Sequence, residues 1–198
     1  MLTTVVYIIL AVLLATTLYV VVRTAVFSWR QRAILPVEGV PVDVACVAEH
    51  LAAAVRCRTV PLDDQGTPDA EAFERLHRML EQTYLLVHRD LKREVVNGYS
   101  LLYTWEGTQP DLEPVMVMAH QDVVSADPAS LDQWTHPPFA GDIADGFVWG
   151  RGTLDIKNQL IGIMEAAEVL LARGFRPERT VLFGMGHDEE TGGVNGCK

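Results

Sequence analysis

Apolar and polar positions divide the chain into two unlike parts. Leu2–Val22, "LTTVVYIILAVLLATTLYVVV", runs 21 residues without a charge. As a helix rising about 1.5 Å per residue it spans roughly 31 Å, enough to cross a bilayer's hydrocarbon core. Its threonines and tyrosines weaken that expectation little, because hydroxyls can bond back to the helix's own carbonyls. No Lys or Arg precedes the run and no small-x-small cleavage site ends it, which favours a membrane anchor over a cleaved signal peptide. Arg23, Arg30 and Arg32 follow the run, and positive charge there favours a cytosolic C-terminal side. Residues 23–42 read as a juxtamembrane linker ending in the proline-rich "LPVEGVPVD".

From Asp43 onward the pattern is globular. Asp43 is placed to cap a helix through about Arg58, with Val44, Val47, Leu51, Ala54 and Val55 on one side. "TVPLDDQGTPD" follows as a loop. Glu71 to about His88 predicts a second amphipathic helix, with Phe73, Leu76, Leu80, Tyr84 and Val87 at helical spacing. Glu94–Glu106 alternates like a strand pair turning at Asn97-Gly98. After Pro114, "VMVMAH" is a short buried strand. Residues 123–146 read as loop, and "FVWGRG" as a short strand or turn. Leu154–Arg173 predicts a long helix with Gly174 as its stop signal, and "RTVLFGMG" the next strand. Strand, loop, helix, strand in that order predicts an α/β domain, a mostly parallel twisted sheet flanked by helices.

Composition adds one exclusion. With 26 acidic against 16 basic residues the net charge is −10, so no nucleic-acid partner is expected, phosphate binding requiring a basic patch. Cys46, Cys57 and Cys197 form neither a disulfide framework nor a CxxC pair and read as buried or free thiols.

Three polar clusters then stand out, each at the end of a buried segment. "AHQDVV" carries His120 and Asp122. "GRGTLDIKN" carries Asp155 where a glycine-rich turn enters a helix. "GMGHDEETGG" carries Asp188, Glu189 and Glu190. Ligands of open α/β sheets bind beyond the carboxyl ends of the strands, where all three are expected to converge. An imidazole among carboxylates is a zinc-type shell, and two zinc ions can share one bridging carboxylate. In an extended segment Asp122 points the same way as His120 and can fix its tautomer. Of the adjacent Glu189 and Glu190, one can bind metal while the other stays free as a base. Burying these carboxylates would be costly without such a cation.

The segments "VMAHQDVV", "WTHPPFAGDIADGFVWGRGTLDIKN", "GIMEAAEVLLARGFRP" and "GHDEETGG" resemble the di-zinc aminoacylase/carboxypeptidase metallopeptidase family, in particular its carboxypeptidase S and N-fatty-acyl-amino-acid synthase/hydrolase branch. The likeness runs from about residue 43 to the C-terminus. It implies that His120 binds one zinc, Asp155 bridges two, and Glu190 binds the other. It further implies that Glu189 is the general base and Asp122 orients His120. The implied reaction is hydrolysis of an amide next to a free carboxylate, in a peptide or an N-acyl amino acid. Ser125 and Ile156 depart from the family pattern, where proline and a second acid are usual. Members of the family continue well beyond this length, supplying a further metal-binding acid, a distal metal histidine and a lid domain that binds the substrate carboxylate and dimerises. Residues 43–198 therefore read as the N-terminal part of a catalytic domain, with a homodimer expected only where that lid is present. The branch works in a vacuole lumen or outside the cell, so a single-pass membrane protein with a lumenal or extracellular domain is expected despite the arginines after the apolar run.

The alternative is a truncated, non-catalytic, membrane-anchored remnant or interaction protein. A glycosidase using Glu189 or Glu190 leaves His120 unexplained. His50, His77 and His88 read as ordinary helix residues without acidic or cysteine partners at ligand spacing, His136 as a loop residue, and His187 as a strand-end side chain. Trp134 and Phe139 read as loop anchors. Arg151 and Lys157 read as charge balance near the metal or decoration of the helix start.

Overall fold

The computed structural model describes residues 2–30, 41–61 and 69–196. The chain forms two compact units, residues 1–41 and 42–198. In the first, helix α1 (Leu2–Arg30) runs past the expected end of the apolar stretch into the expected linker. Its segment Leu2–Phe27 is long and apolar enough to cross a membrane. Thr16 and Thr17 donate their hydroxyls to the carbonyls of Val12 and Leu13, at 2.8 and 2.9 Å, as expected for hydroxyls satisfied by the helix itself. Residues 31–40 of the expected linker, residues 62–68 of the following loop, and Cys197 lie outside the described residues.

The second unit begins with α2 (Val44–Arg56). Asp43 caps it by accepting from the backbone N–H groups of Ala45 and Cys46, both at 3.1 Å, a contact worth about 1 kcal/mol. The expected second helix is two, α3 (Ala70–Thr83) and α4 (Leu85–Asp90). Tyr84 leaves the helical region (φ −108°, ψ 72°), sinks into the core and gives its hydroxyl to Glu165 at 2.9 Å. The apolar spacing continues through Tyr84, so periodicity alone cannot reveal the break.

Strands β1 (Lys92–Val96) and β2 (Ser100–Trp105) make the expected hairpin, with Asn97 and Gly98 at positive φ in its turn. Next come β3 (Val115–His120), a second small hairpin of β4 (Asp142–Ala144) and β5 (Phe147–Trp149), helix α5 (Asn158–Ala172), and β6 (Val181–Gly186). β4 lies within the segment expected to be loop, and α5 starts four residues later than expected because Thr153–Lys157 form a π-type turn. Gly174 stops α5 at φ +70°, where Phe175 N–H bonds back to Leu170.

The main sheet has the order β1-β2-β6-β3 and corrects the mostly parallel expectation. Among the described strands only β3 and β6 pair in parallel, joined by the crossover through α5. β1/β2 and β2/β6 are antiparallel. The sheet is mixed because a tight-turn hairpin can only be antiparallel and its second strand, β2, takes the free edge of β6. Leu101, Tyr103, Trp105, Ala119, Phe183 and Met185 pack from this sheet against Leu76, Leu80, Leu160, Ile161 and Met164 of the helices, and against Tyr84 at the α3–α4 break, in one buried core. Met116 and Met118 on the opposite face of β3 are each 49% exposed.

Candidate metal centre

The parallel register sets His120 opposite Gly186, so the two strands end side by side. The N–H of Gln121 extends the pairing to the Gly186 carbonyl at 2.8 Å. The chain leaving β6 turns at once into a single 3-10 turn, Glu189–Thr191, rather than continuing extended. That turn brings both glutamates back over the end of β3.

Asp155 arrives from the other side. Gly152 adopts φ +82°, and a Cβ there would sit 2.2 Å from Cγ1 of Val123. The Lys157 N–H returns to the Gly152 carbonyl at 2.9 Å, closing the turn. Within it Asp155 is non-helical (φ −123°, ψ 89°), which swings its carboxylate out of the turn and toward His120. Gly152→Ala should therefore lower stability by about 2–5 kcal/mol, the left-handed conformation costing about 1–2 and the clash about 1–3. A urea-unfolding midpoint unchanged from wild type would contradict this account of the turn.

His120 is the centre of the group. Its ring is nearly buried, with Nδ1 3.0 Å from the Asp122 carbonyl and 3.4 Å from Asp122 Oδ1. Nδ1–H is directed at the backbone oxygen, so the Oδ1 atom is left without a hydrogen-bond partner. Nε2 faces outward, 3.2 Å from Asp155 Oδ1 and 3.8 Å from Glu189 Oε2. One donor atom each from His120, Asp155 and Glu190 lie within 4.8 Å of one another. Asp122 is wholly buried and accepts the Glu190 backbone N–H at 2.9 Å, tying the 3-10 turn to the end of β3.

The electrostatics call for a cation. Burial pulls the His120 ring toward neutrality, but Asp122 and Glu189 push its pKa up to about 9. Glu190 is raised by partial burial and by repulsion from Asp155, Asp122 and Glu189. Asp122 also pays for burial, yet the His120 ring and the backbone N–H groups of the turn hold its carboxyl below the usual range. A divalent ion can replace the His120 proton and relieve the carboxylate repulsion together. Tetrahedral ligands about 2.0–2.2 Å from zinc lie about 3.4 Å apart, so the three donors need to close only modestly. The residues fit a metal of the zinc type.

Other expectations resolve differently. Asp188 faces away from this group, accepting the Asn195 N–H at 2.7 Å and shaping the following turn. Lys157 neither balances charge at the ligands nor decorates a surface. It is fully buried, its ammonium donating to the carbonyls of Ala54 and Cys57 at 2.9 and 2.5 Å. His187 is buried against Ser100 Oγ at 2.7 Å, and His136 pairs with Asp142 at 2.9 Å. His77 bonds Gln121 at 2.7 Å, and His88 bonds Tyr103 at 3.0 Å. His50 departs from expectation: it has both a cysteine and an acid as neighbours, Cys46 and Glu165. The i, i+4 spacing of Cys46 and His50 was the legible signal.

An open cleft of about 1190 Å³ adjoins Asp155 and Glu190. Trp134, Phe147, Trp149 and Leu154 line it, with Arg151 stacked 5.2 Å above the Trp134 ring. Trp134, expected as a loop anchor, forms a wall of this cleft.

The family model described as peptidase family M20/M25/M40 matches residues 116–198. The chain is 46% identical over 156 residues to carboxypeptidase S of Saccharomyces cerevisiae, covering 75% of this chain and 27% of that protein. It is 42% identical to a probable carboxypeptidase S-like 2 of Dictyostelium discoideum (76% and 29%) and 39% identical to an N-fatty-acyl-amino acid synthase/hydrolase of Xenopus tropicalis (88% and 34%). It thus spans about a third or less of the length of the curated relatives it matches. Among solved structures, human carnosine dipeptidase 1 superposes with a TM-score of 0.60 at 20% identity, covering 75% of this chain and 33% of that one. A metallo-carboxypeptidase of Sulfolobus solfataricus gives 0.59 at 20% identity (78% and 33%). The segment that matches peptidase family M20/M25/M40, residues 116–198, holds β3, the Asp155 turn, β6 and the acidic turn, and so contains every residue of the metal centre.

Proposed function

We propose that this chain carries the site of a zinc-dependent hydrolase that cleaves an amide next to a free carboxylate, in a peptide C-terminus or an N-acyl amino acid. The observation that carries this reading is the meeting of His120, Asp155 and Glu190 at the ends of the parallel strands, with Glu189 beside them. His120 and Glu190 would each bind one zinc and Asp155 both. When bound, the metal pair polarises the scissile carbonyl and lowers the pKa of water. Asp122 holds the His120 ring with Nε2 facing the ligand position. Glu189, exposed and within reach of the same position, takes a proton from the attacking water and delivers it to the leaving nitrogen. The aromatic wall of the cleft suits an apolar side chain or acyl group, and the names of the relatives support that substrate class. Residues 2–27 would tether the domain to a membrane, with the domain on the lumenal or extracellular side.

The test is release of free amino acid from an N-acyl amino acid and from a peptide with a free C-terminus, by the purified chain with added zinc. Release should stop with chelator and fall about 10²–10⁴-fold in Glu189→Gln. Cleavage that survives either treatment overturns the proposal. The small share of its relatives' length favours a second reading, in which residues outside these 198 complete the metal shell. Zinc bound through His120 without any cleavage would support that reading over the first.

A further inference from the structure

A second group of potential ligands lies apart from the His120 centre and plays no part in the proposed reaction. Cys46 and His50 sit one turn apart on α2, and Sγ of Cys46 is 3.5 Å from Nε2 of His50. On the other side of the ring, Nδ1 lies 2.5 Å from Oε1 of Glu165, on α5. The same carboxylate oxygen accepts the hydroxyl of Tyr84 at 2.9 Å. A carboxylate is an acceptor, so the ring proton resides on Nδ1 and the lone pair of Nε2 is presented to the sulfur. Burial, then Glu165, drives the Tyr84 ionisation far above its ordinary range, which keeps that hydroxyl a donor. Glu168, the next acid along α5, is occupied: its oxygens accept the backbone N–H groups of Leu86 and Val87 at 2.9–3.1 Å. Cys46 is exposed and the His50 and Glu165 side chains are 26% and 16% exposed, so the open side of the pair faces solvent.

We propose that Cys46 and His50 chelate a second divalent cation of the borderline-to-soft class, zinc in type, with Glu165 as the positioning residue behind the imidazole. Three features support this. A tetrahedral zinc holding a thiolate at about 2.3 Å and an imidazole at about 2.0–2.1 Å sets sulfur and nitrogen about 3.5 Å apart, the spacing already present. A ligating histidine usually donates its second N–H to a carboxylate, which fixes tautomer and ring plane, as Glu165 does here. Thiolate and imidazole together select zinc-like ions over magnesium and calcium. Binding replaces the thiol proton by the metal and releases that proton to solvent, while the neutral imidazole contributes its lone pair. Two coordination positions stay open to water, so the ion exchanges readily. This site is independent of the His120 centre, which holds no sulfur.

Cobalt(II) separates the two sites, because only a thiolate ligand gives a near-ultraviolet sulfur-to-cobalt charge-transfer band. The full chain in detergent, titrated with cobalt, should develop that band with about one equivalent and be competed by zinc but not by magnesium. The band should vanish in Cys46→Ser, persist in Cys197→Ser, and need at least ten-fold more cobalt in His50→Gln. Glu165→Gln should weaken binding about 10–100-fold. Should that variant misfold, protection of Cys46 from a disulfide reagent by zinc in the wild type, lost in His50→Gln, gives the same answer. A folded wild type without the band, a band that survives Cys46→Ser, or cobalt affinity unchanged by His50→Gln would each overturn the proposal.

Discussion

His120→Ala and Asp155→Ala should each abolish tight zinc binding at the strand ends, lowering affinity by more than about 100-fold, since loss of a mere supporting residue typically costs 10–100-fold. The two side chains fail for different reasons. His120 is the one imidazole in the cluster, and its Nε2 is already aimed at the carboxylates by the contact of Nδ1 with Asp122. Its removal leaves only like charges around Glu190, which burial and then repulsion from Asp155 already raise. Asp155 Oδ1 lies 3.2 Å from Nε2, and a donor atom of Glu190 is within 4.8 Å of both side chains. Without it two donors of the group remain, one at the end of β3 and one in the turn after β6, too few for a tight zinc shell. Asp122→Asn should cost less, about 10–100-fold, because it keeps the shape and loses the charge behind the ring. The measurement is competition for zinc against a chelator of known affinity, with Cys46→Ser as background. An Asp155→Ala chain that holds zinc as tightly as its parent would remove that residue from the metal shell.

The largest stability change is expected at Lys157. Its ammonium is buried between the last carbonyls of α2, bonded to Ala54 and Cys57. Burial lowers its pKa to about 8, so holding the charge there already costs free energy. The site tolerates it because the C-terminus of a helix presents partial negative charge and carbonyls with a lone pair to spare. Lys157→Ala removes the cation, leaves the Ala54 and Cys57 carbonyls to their remaining partners, among them the N–H groups of Cys57 and Thr59, and opens a cavity in a dry interior. A loss of about 3–5 kcal/mol follows. Lys157→Met keeps most of the stem and removes the desolvation cost of the charge, so its loss should be smaller, about 1–3 kcal/mol. Urea unfolding of the two variants beside the wild type decides the matter. A shift for Lys157→Ala within about 0.5 kcal/mol would show that the buried ammonium does not hold the end of α2 in place.

Much of this arrangement can be read along the chain. The apolar run before His120 and the one before Glu189 both fold as strands, and their polar residues do gather at the carboxyl ends. Asn97-Gly98 does turn a hairpin. What escapes such reading depends on contacts between distant segments. Tyr84 keeps the apolar period of a helix, and only its demand for a hydroxyl partner on α5 breaks the backbone there. The sheet looks parallel because the β3–α5–β6 crossover is parallel, while the antiparallel neighbour of β6 comes from an earlier hairpin. Lys157, like any lysine before a helix, suggests surface, and its burial becomes evident only when the end of α2 is brought against it. Asp188 shares its sequence context with the candidate base Glu189 and the candidate ligand Glu190, yet a turn that needs its side chain takes it out of the group.

The place of β6 in the sheet also bears on how the molecule comes into being. It is the last of the described strands to be synthesised, yet it lies between β2 and β3 and pairs with both. Until it docks, the β1–β2 hairpin and β3 have no common partner, and the two ends that create the metal centre are not neighbours. Such long-range pairing is slow to form and leaves apolar edges open meanwhile. During translation, metal binding at His120 must therefore wait for residues 181–190 to emerge, and zinc added to a refolding chain should capture the finished sheet rather than nucleate it.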